Sequence, residues 1–261
     1  MRLQGKVAAI TGGASGIGKG IAYQFAREGA SVAIGDVDEA GASAAATEIA
    51  EETGARTLGM RCDVVSRTDV DAFVAAAAAR FGRFDIMVAN AGIAIFRNPL
   101  ETTEGDWDRT MDINGKGVLL SDQAAARQMI AEGHGGAIVN IASVAALNAS
   151  PNLTAYCASK AAVMHMTKCF ALDLARHGIR VTSIAPGLVD TAIWGKGFGD
   201  PDILEHGLRQ RFDSDVPLGR MATPDDVANT VTFLVSDDGA YLTGHIFVVD
   251  GGSALAPTAR R

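Results

Sequence analysis

The fold of this 261-residue chain is decided by a stretch near its start, K-V-A-A-I-T-G-G-A-S-G-I-G, which runs from Lys6 to Gly18. Lys6 to Thr11 is short and apolar, as in a buried strand. The residues after Gly18 place apolar side chains at helical spacing until Gly29 stops the helix. A strand, a glycine-rich turn and a helix together present backbone N–H groups and a helix N-terminus to a pyrophosphate.

Three glycines give this turn its predicted geometry. Gly12 permits the tight turn, Gly16 lets the backbone approach a ligand, and Gly18 lets the helix pack on the strand. The spacing is G-x-x-x-G-x-G and departs from the common G-x-G-x-x-G fingerprint. A glycine-rich connector that binds nothing is therefore the alternative interpretation of this turn taken alone.

The second predicted strand ends at Asp36, eighteen residues after Gly18. An acid at about this distance bonds the adenosine ribose hydroxyls of a dinucleotide and repels a 2′-phosphate. Val37 and Ser15, which flank the expected ribose pocket, are not basic. The sequence therefore favours NAD over NADP. The alternative role for Asp36 is the N-cap of the next helix, although Asp38 is equally placed to be that cap.

A second group of polar residues follows the apolar run that ends at Ala142. Ser143 lies at the end of this predicted strand, Tyr156 comes thirteen residues later, and Lys160 four after that. On a helix, Tyr156 and Lys160 share one face. A cation within about 4–6 Å favours the phenolate and suits the phenol to acid–base catalysis near neutral pH. The alternative is a packed tyrosine beside a surface lysine.

Predicted strands and helices alternate along the whole chain, without a linker or an internal repeat. This pattern predicts an α/β fold: a doubly wound, Rossmann-like parallel sheet in a three-layer αβα single domain over residues 1–261. Residues 188–216 form the expected substrate loop and residues 253–261 a loose tail. The polar residues singled out above follow strand ends, where such sheets bind ligands.

Two predicted helices carry unusual residues. The helix from Trp107 to Glu132 contains Asn114 and Gly115, which are poor helix formers, so we expect a local distortion there. The helix that runs from Tyr156 to His177 is apolar on more than one face. A neighbouring subunit is therefore expected to cover part of it.

Composition excludes several classes of function. The net charge is −7 and the basic residues are scattered, which argues against binding to nucleic acid or to an anionic membrane surface. The three cysteines and five histidines are dispersed, so no metal site is expected, and the cysteines fit a reducing compartment. No signal peptide and no membrane-spanning run are evident, so we expect a cytoplasmic protein.

In the order and spacing of these motifs, the sequence resembles the short-chain dehydrogenase/reductase family over essentially its whole length. The residues that carry the resemblance are Thr11-Gly12-x-x-x-Gly16-Ile17-Gly18, Asp63, Asn90-Ala91-Gly92, Asn114, Ser143, Tyr156-x-x-x-Lys160 and Pro186-Gly187. The resemblance implies that Tyr156 is the general acid/base and that Ser143 bonds the substrate oxygen. It also implies that Lys160 holds the nicotinamide ribose and lowers the pKa of Tyr156, and that Asn114 supports a water linking Lys160 to solvent.

The resemblance extends to cofactor binding. Asp63 and Val64 would bracket the adenine, Asn90 would line the cofactor cleft, and Thr191 would bind the nicotinamide carboxamide or the phosphates. The full set of expected cofactor-binding residues is Gly12, Ser15, Gly16, Ile17, Gly18, Asp36, Asp63, Val64, Asn90, Gly92, Tyr156, Lys160, Pro186, Gly187, Val189 and Thr191.

The function implied is an NAD-dependent oxidoreductase that interconverts a secondary alcohol and a ketone. The alternatives are a 3-oxoacyl-thioester reductase of the same fold and a catalytically silent NAD-binding protein. The family implies a homotetramer (or a homodimer) built partly from helices 107–132 and 154–177 and the C-terminal strand.

The identity of the alcohol or ketone is not evident from the sequence. We expect the pocket walls to be Ile93–Phe96, Val144–Leu147, Leu153 and the 188–216 loop. Their apolar character favours a hydrophobic or mid-sized substrate over a free sugar. Trp194 and Phe198 either close over the ligand or pack on the body of the domain.

Overall fold

The computed structural model describes residues 1–194 and 209–255, and its centre is a sheet of seven parallel strands. The strands are β1 (Val7–Thr11), β2 (Ser31–Asp36), β3 (Thr57–Arg61), β4 (Ile86–Ala89), β5 (Gly136–Ile141), β6 (Ile179–Pro186) and β7 (Ile246–Val249). Their order across the sheet is β3-β2-β1-β4-β5-β6-β7. The predicted doubly wound parallel sheet is confirmed.

Helices cover both faces of the sheet. They are α1 (Gly16–Arg27), α2 (Glu39–Thr53), α3 (Arg67–Phe81), α4 (Glu104–Met111), α5 (Gly117–Glu132), α6 (Thr154–Leu174), α7 (Arg209–Asp215) and α8 (Pro224–Val235). One core cluster joins α1, α2 and α8 to the sheet, and another joins α3, α5 and α6 to its opposite face. All five residues of β1 are buried, because both faces of a parallel sheet are covered by helices.

The order of the strands fixes where a ligand can bind. β1 pairs with β2 on one side and with β4 on the other. The chain therefore reverses its direction of winding between β3 and β4, and the loops after β1 and β4 diverge. In open parallel sheets the crevice at this point, outside the carboxyl ends of the strands, is the usual ligand site.

The predicted long helix is present, but it begins three residues before Trp107, at Glu104. Thr103 and Asp106 form a capping box there, since the Thr103 hydroxyl accepts from the Asp106 N–H and the Asp106 carboxylate accepts from the Thr103 N–H. The predicted distortion is confirmed. A π-helical turn, Asp112–Lys116, separates α4 from α5 and contains Asn114 and Gly115.

The beginning of the C-terminal segment is not loose, contrary to our expectation. The Ala254 N–H donates to the Asp250 carboxylate at 2.6 Å, and the Asn148 side-chain amide donates to the Ala254 carbonyl at 2.9 Å. These contacts join residues up to 106 positions apart, so the sequence pattern does not reveal them. Within the described ranges, no helix combines the length and apolar character needed to cross a membrane.

Candidate active site

A cavity of about 840 Å³ lies at the carboxyl ends of the strands. All the predicted site residues line it except Gly18 and Asn114, which lie behind its wall. Those lining it are Gly12, Ser15, Gly16, Ile17, Asp36, Asp63, Val64, Asn90, Gly92, Ser143, Tyr156, Lys160, Pro186, Gly187, Val189 and Thr191. The fold thus brings residues from both halves of the chain to one cavity.

The glycine-rich turn after β1 is packed too tightly for side chains. Gly12 has φ 65°, and a Cβ there would lie 2.7 Å from the Ala91 Cα. A Cβ on Gly18 would overlap the carbonyl oxygen of Gly12, so the first turn of α1 rests directly on the loop. These contacts leave the backbone of the turn open towards the cavity, as a diphosphate requires.

Asn90 locks this turn to the end of β4. Its Nδ2 donates to the carbonyl oxygens of Thr11 and Gly12, both at 2.9 Å. The Thr11 hydroxyl in turn accepts from the backbone N–H groups of Asn90 at 3.1 Å and Ala91 at 3.3 Å. This supporting role of the Thr11 hydroxyl is not predicted from the sequence, where its only signal is the place of Thr11 before the first glycine.

Asp36 points into the cavity from the end of β2. Its Oδ2 accepts from the Ala14 N–H and its Oδ1 from the Asp38 N–H, both at 3.1 Å. The N-cap of α2 is Asp38, which accepts from the Gly41 N–H at 3.0 Å. The alternative role of Asp36 as the cap is therefore wrong, and its carboxylate remains at the cavity wall.

Asp63 and Val64 line the cavity just beyond β3. The Asp63 Oδ1 accepts from the Val65 N–H at 3.2 Å, which fixes the bend of the chain there. Val64 is 6 % exposed and packs against Gly117 at the start of α5. The bend therefore presents an apolar side chain and a carboxylate side by side, a suitable edge for a flat heterocycle.

Ser143 and Tyr156, two of the predicted catalytic residues, lie next to each other. Ser143 follows β5, is 8 % exposed, and its Oγ accepts from the Ala145 N–H at 3.1 Å. Burial raises the pKa of Tyr156, and a side-chain hydrogen bond with Ser143 opposes that rise. The phenol thus holds its proton and has a hydroxyl partner.

Lys160 is 4 % exposed, and its Nζ donates to the Ile141 carbonyl oxygen at 2.8 Å. The Nζ lies 5.8 Å from the centre of the Tyr156 ring. Burial lowers the pKa of Lys160 to about 8. Loss of hydration is the largest cause of both shifts and moves each group towards its neutral form. A lowering of the Tyr156 pKa by this lysine, as the resemblance implies, stays a prediction.

Asn114 is fully buried and supports the wall instead of lining it. Its Nδ2 donates to the Ile93 carbonyl at 2.9 Å and to the Ser159 Oγ at 3.0 Å, and its Oδ1 accepts from the Ile93 N–H at 2.8 Å. A Cβ on Gly92 would lie 3.2 Å from the Asn114 Oδ1 and 3.3 Å from the Lys160 Nζ. A side chain at position 92 would therefore crowd both of these polar groups.

Ser159 was missed at the sequence level. Its hydroxyl accepts from Asn114 and donates to the Tyr156 carbonyl oxygen at 2.7 Å, so it joins the π turn to α6. The sequence does contain a signal for this role. Ser159 stands three residues after Tyr156 on the same predicted helix, a spacing at which a serine hydroxyl can bond the earlier carbonyl oxygen.

Apolar residues dominate the wall near Tyr156. Phe96, Val144, Leu153 and Trp194 line the cavity there, as predicted, and Ser150 adds a hydroxyl that was not predicted. Ile95, Ala146 and Leu147 do not line the cavity, so those parts of the predicted wall are wrong. Leu147 is 53 % exposed. It follows a short 3₁₀ turn that rotates its side chain outward.

Trp194 both lines the cavity and packs on the body of the protein. Its Nε1 donates to the Val189 carbonyl at 2.8 Å, and its ring centre lies 4.8 Å from that of Phe212 and 6.3 Å from that of Phe96. Phe198, the other predicted lid residue, lies outside the described residues.

The donor set of this cavity fits a nicotinamide dinucleotide. A glycine turn at a helix N-terminus suits the diphosphate, Asp36 suits a ribose diol, and the Tyr156 phenol beside the buried Lys160 provides the reacting end. No cluster of three or more His, Cys, Asp or Glu side chains suited to a metal ion occurs in residues 1–194 and 209–255.

Residues 12–254 match a protein-family model described as Enoyl-(Acyl carrier protein) reductase. The chain is similar to galactitol 2-dehydrogenase of Agrobacterium fabrum, with 41 % identity over 98 % of this chain and 100 % of that protein. It is also similar to the 3-oxoacyl-[acyl-carrier-protein] reductase FabG of Thermotoga maritima, with 38 % identity over 98 % of this chain and 100 % of that protein.

A solved structure, 3-ketoacyl-(acyl-carrier-protein) reductase from Brucella melitensis complexed with NADH, superimposes with a TM-score of 0.87. It is 37 % identical, and the match covers 97 % of this chain and 99 % of that one. Sequence and fold thus agree over nearly the whole chain. The chain therefore belongs to the short-chain dehydrogenase/reductase family and is an oxidoreductase of that family.

Proposed function

We propose that this chain is a single-domain, NAD-dependent oxidoreductase that interconverts a secondary alcohol and a ketone. The observation that carries the proposal is the meeting of Ser143, Tyr156 and Lys160 at the wall of the same cavity that Asp36 and the glycine turn line. These residues come from four separate segments of the chain, and each supplies the chemistry that one part of such a reaction needs.

In this proposal, Tyr156 exchanges a proton with the oxygen of the substrate. Ser143 donates to the same oxygen and holds it as its charge changes. Lys160 is tied to the Ile141 carbonyl and keeps its Nζ on the cavity side of α6, where ribose hydroxyls can accept from it. The nicotinamide, when bound, supplies the hydride chemistry. Asn114 holds the backbone of Ile93 and so fixes the wall opposite α6.

NAD is favoured over NADP by charge. The Asp36 carboxylate at the cavity wall repels a 2′-phosphate. Among the described lining residues only Arg109 and Lys160 are cationic, and neither follows β2, where a 2′-phosphate would lie. Val37, the residue after Asp36, is 64 % exposed and apolar. The ribose end therefore lacks the arginine that accommodates a phosphate in NADP-dependent folds of this type.

The apolar residues that line the cavity together with Tyr156 indicate the class of substrate. Phe96, Val144, Leu153 and Trp194 surround the approach to Tyr156 with hydrocarbon and aromatic surface. Burial of such surface favours a secondary alcohol with an apolar substituent over a fully hydroxylated sugar.

We also propose that the protein is a homotetramer (or a homodimer). Large apolar side chains are exposed on the elements expected to pair: Ile130 on α5 is 41 % exposed, Leu172 on α6 is 81 % exposed and Val248 on β7 is 46 % exposed. Apolar groups on neighbouring helices and an edge strand are typical of surfaces that subunits cover.

The test of the proposed activity is NADH formation from NAD, followed by near-ultraviolet absorbance, across a panel of secondary alcohols. The panel spans polyols, diols, hydroxy acids, hydroxysteroids, aryl alcohols and hydroxyacyl thioesters, and NADP is run in parallel. Tyr156→Phe should lower turnover by about 10²–10⁴-fold, because it removes the acid/base group. The matched control is Tyr241→Phe, which removes the hydroxyl of a fully exposed tyrosine and should leave turnover unchanged.

Each outcome decides between named alternatives. Turnover with NAD that is lost in Tyr156→Phe alone supports the proposal. Turnover only with NADP would overturn the argument from Asp36. Preference for hydroxyacyl thioesters would favour a 3-oxoacyl-thioester reductase. NADH binding without turnover on the whole panel would favour a cofactor-binding protein without catalysis.

A further inference from the structure

A buried polar cluster lies outside the cavity, between the sheet and two of its helices. It consists of Asp122 on α5, Asn140 on β5 and Thr167 on α6, and we call it the buried cluster. All three side chains are completely inaccessible to solvent, and none lines the cavity. A carboxyl group in such a place needs partners for both of its oxygens.

The hydrogens available in the buried cluster can be counted. The Asn140 Nδ2 donates one hydrogen to the Asp122 Oδ2 at 2.9 Å and the other to the Thr167 Oγ1 at 3.1 Å. The Thr167 hydroxyl uses its own hydrogen on the Val163 carbonyl at 2.9 Å. Every donor of the three side chains is therefore engaged.

Two acceptors are left over. Among the described residues, the Asp122 Oδ1 and the Asn140 Oδ1 are the two buried side-chain atoms without a partner. They belong to the two groups that the Asn140–Asp122 hydrogen bond already joins. If Asp122 were ionised, a charge and two lone acceptors would be buried together, which is destabilising. One proton on the Asp122 Oδ1 would supply the donor that these two acceptors lack.

We propose that Asp122 is held as a neutral carboxylic acid that donates to the Asn140 Oδ1, and that this acid–amide pair positions the elements that carry the candidate active site. The protonation follows from the hydrogen count and does not depend on the proposed function. The catalytic consequence rests on that function.

Burial supports the neutral form. It raises the pKa of Asp122 to about 7, and the only opposing cause is the hydrogen bond from Asn140. No charged neighbour contributes to the shift. Among the described ionisable groups of the packed elements, Asp85 beside β4 is bound to Arg83, and Lys160 of α6 to the Ile141 carbonyl. Others, including His165 and Lys168 of α6, Asp71 of α3 and Arg127 of α5, are exposed at the surface.

The buried cluster ties together the three elements that carry the predicted catalytic residues. Asn140 lies directly before Ile141, whose carbonyl accepts from Lys160, and three residues before Ser143. Thr167 lies on α6, which carries Tyr156 and Lys160. Asp122 lies on α5, which continues directly from the π turn that holds Asn114. A change in the pair would therefore shift β5 relative to both helices.

The protonation is tested by infrared difference spectroscopy between the wild type and Asp122→Asn at pH 5.5, in H₂O and in D₂O. We expect a carboxylic-acid carbonyl band that is present only in the wild type, shifts in D₂O and titrates away as the pH rises through about 7. A carboxylate band at pH 5.5, as for an ionised Asp122 bridged to Asn140 by a buried water, would overturn the proposal.

A second measurement uses the pH dependence of unfolding. The pKa of Asp122 is higher in the folded protein, at about 7, than the ordinary value of about 3.9 in the unfolded chain. The folded state therefore binds the extra proton, and the wild type becomes less stable as the pH rises from about 4 to 7. The unfolding constant of the wild type, divided by that of Asp122→Asn, should rise by up to tenfold per pH unit in this window. A ratio that does not change with pH contradicts the proposal.

The positioning role is tested by rescue. The amide of Asp122→Asn can donate to the Asn140 Oδ1 and accept from its Nδ2 without an added proton, whereas Asp122→Ala can do neither. Backbone hydrogen exchange in residues 141–160 should quicken at least tenfold in Asp122→Ala and stay within twofold of the wild type in Asp122→Asn. Equal effects of the two variants would overturn the positioning role.

Exchange needs no substrate, so it separates this proposal from the proposed function. If turnover is found, kcat should fall in Asp122→Ala, and Asp122→Asn should restore it. Altered exchange without any turnover leaves the positioning role supported and counts against the proposed activity alone.

Discussion

Burial governs the two ionisable groups at the reacting end of the cavity. It raises the pKa of Tyr156 and lowers that of Lys160 to about 8, so each is shifted towards its neutral form. A sequence shows that a phenol and an amine stand one helical turn apart, which predicts mutual stabilisation of their charges. It does not show how much water reaches them, and here the loss of hydration decides the direction.

The titration of Lys160 gives a prediction for stability. Its pKa is about 8 in the folded protein and about 10.4 in the unfolded chain, so between these values the unfolded state binds the extra proton. Wild-type stability should therefore rise by up to about 1.4 kcal/mol per pH unit from pH 8 to 10, relative to Lys160→Met. Denaturant unfolding at pH 8, 9 and 10 measures this.

The control for this prediction is Lys168→Met, which removes an exposed lysine from the same helix. Its unfolding free energy should follow that of the wild type at all three pH values. Parallel curves for the wild type and Lys160→Met would mean that the lysine keeps an ordinary pKa in the fold.

Among the elements, the π turn links local sequence to the site. Asn114 and Gly115 are poor helix formers, and the backbone widens there into five π-helical residues. The wider turn lets the Asn114 amide pair with both backbone groups of Ile93, across 21 residues of sequence. The hydrogen bonds between Asn114 and Ile93, which follows β4, thus stabilise the π turn. They explain why the regular α-helical pattern is interrupted between α4 and α5.

Asn114→Ala should lower the free energy of unfolding by about 1–3 kcal/mol, because it leaves the half-buried backbone N–H and C=O of Ile93 without their partner. Denaturant unfolding at neutral pH checks the size of the loss. Asn98→Ala serves as the control, since that amide lies in an exposed turn and accepts only from the nearby Leu100 N–H at 3.0 Å. Equal losses in the two variants would show that the Asn114 contacts add nothing specific.

At the scale of the whole molecule, the apolar surface that the monomer leaves uncovered gives a prediction for assembly. Leu172→Glu places a charge on the α6 surface, where the wild-type leucine is 81 % exposed. If subunits pair through α6, this variant should run as a smaller species than the wild type in size-exclusion chromatography with light scattering. The monomer itself should stay folded, because position 172 packs on nothing in the core.

Leu100→Glu is the matched control, since Leu100 is 95 % exposed and lies outside the elements expected to pair. Its mass should equal that of the wild type. A monomeric wild type, or an unchanged mass for Leu172→Glu, would contradict the proposed assembly through α6.

The sequence by itself determined the fold class and the members of the candidate site. Gly12, Asp36 and Ser143 stand at or just beyond the ends of apolar runs, and in a parallel sheet all such ends share one edge. Local pattern therefore predicts both the sheet and the place of the cavity. It also located the break at Asn114, because Asn and Gly are poor helix formers.

Tertiary structure alone decided what surrounds these residues. In the folded chain Asn114 lies behind the cavity wall and the Leu147 side chain is exposed to solvent. Asn148 donates to the Ala254 carbonyl, and Asp122 is buried beside Asn140. Each of these depends on contacts between segments far apart in the chain and on the exclusion of water, neither of which is encoded in local residue spacing. The shifts in the pKa values of Tyr156, Lys160 and Asp122 follow from that exclusion, because the free energy of a charge depends on the medium around it.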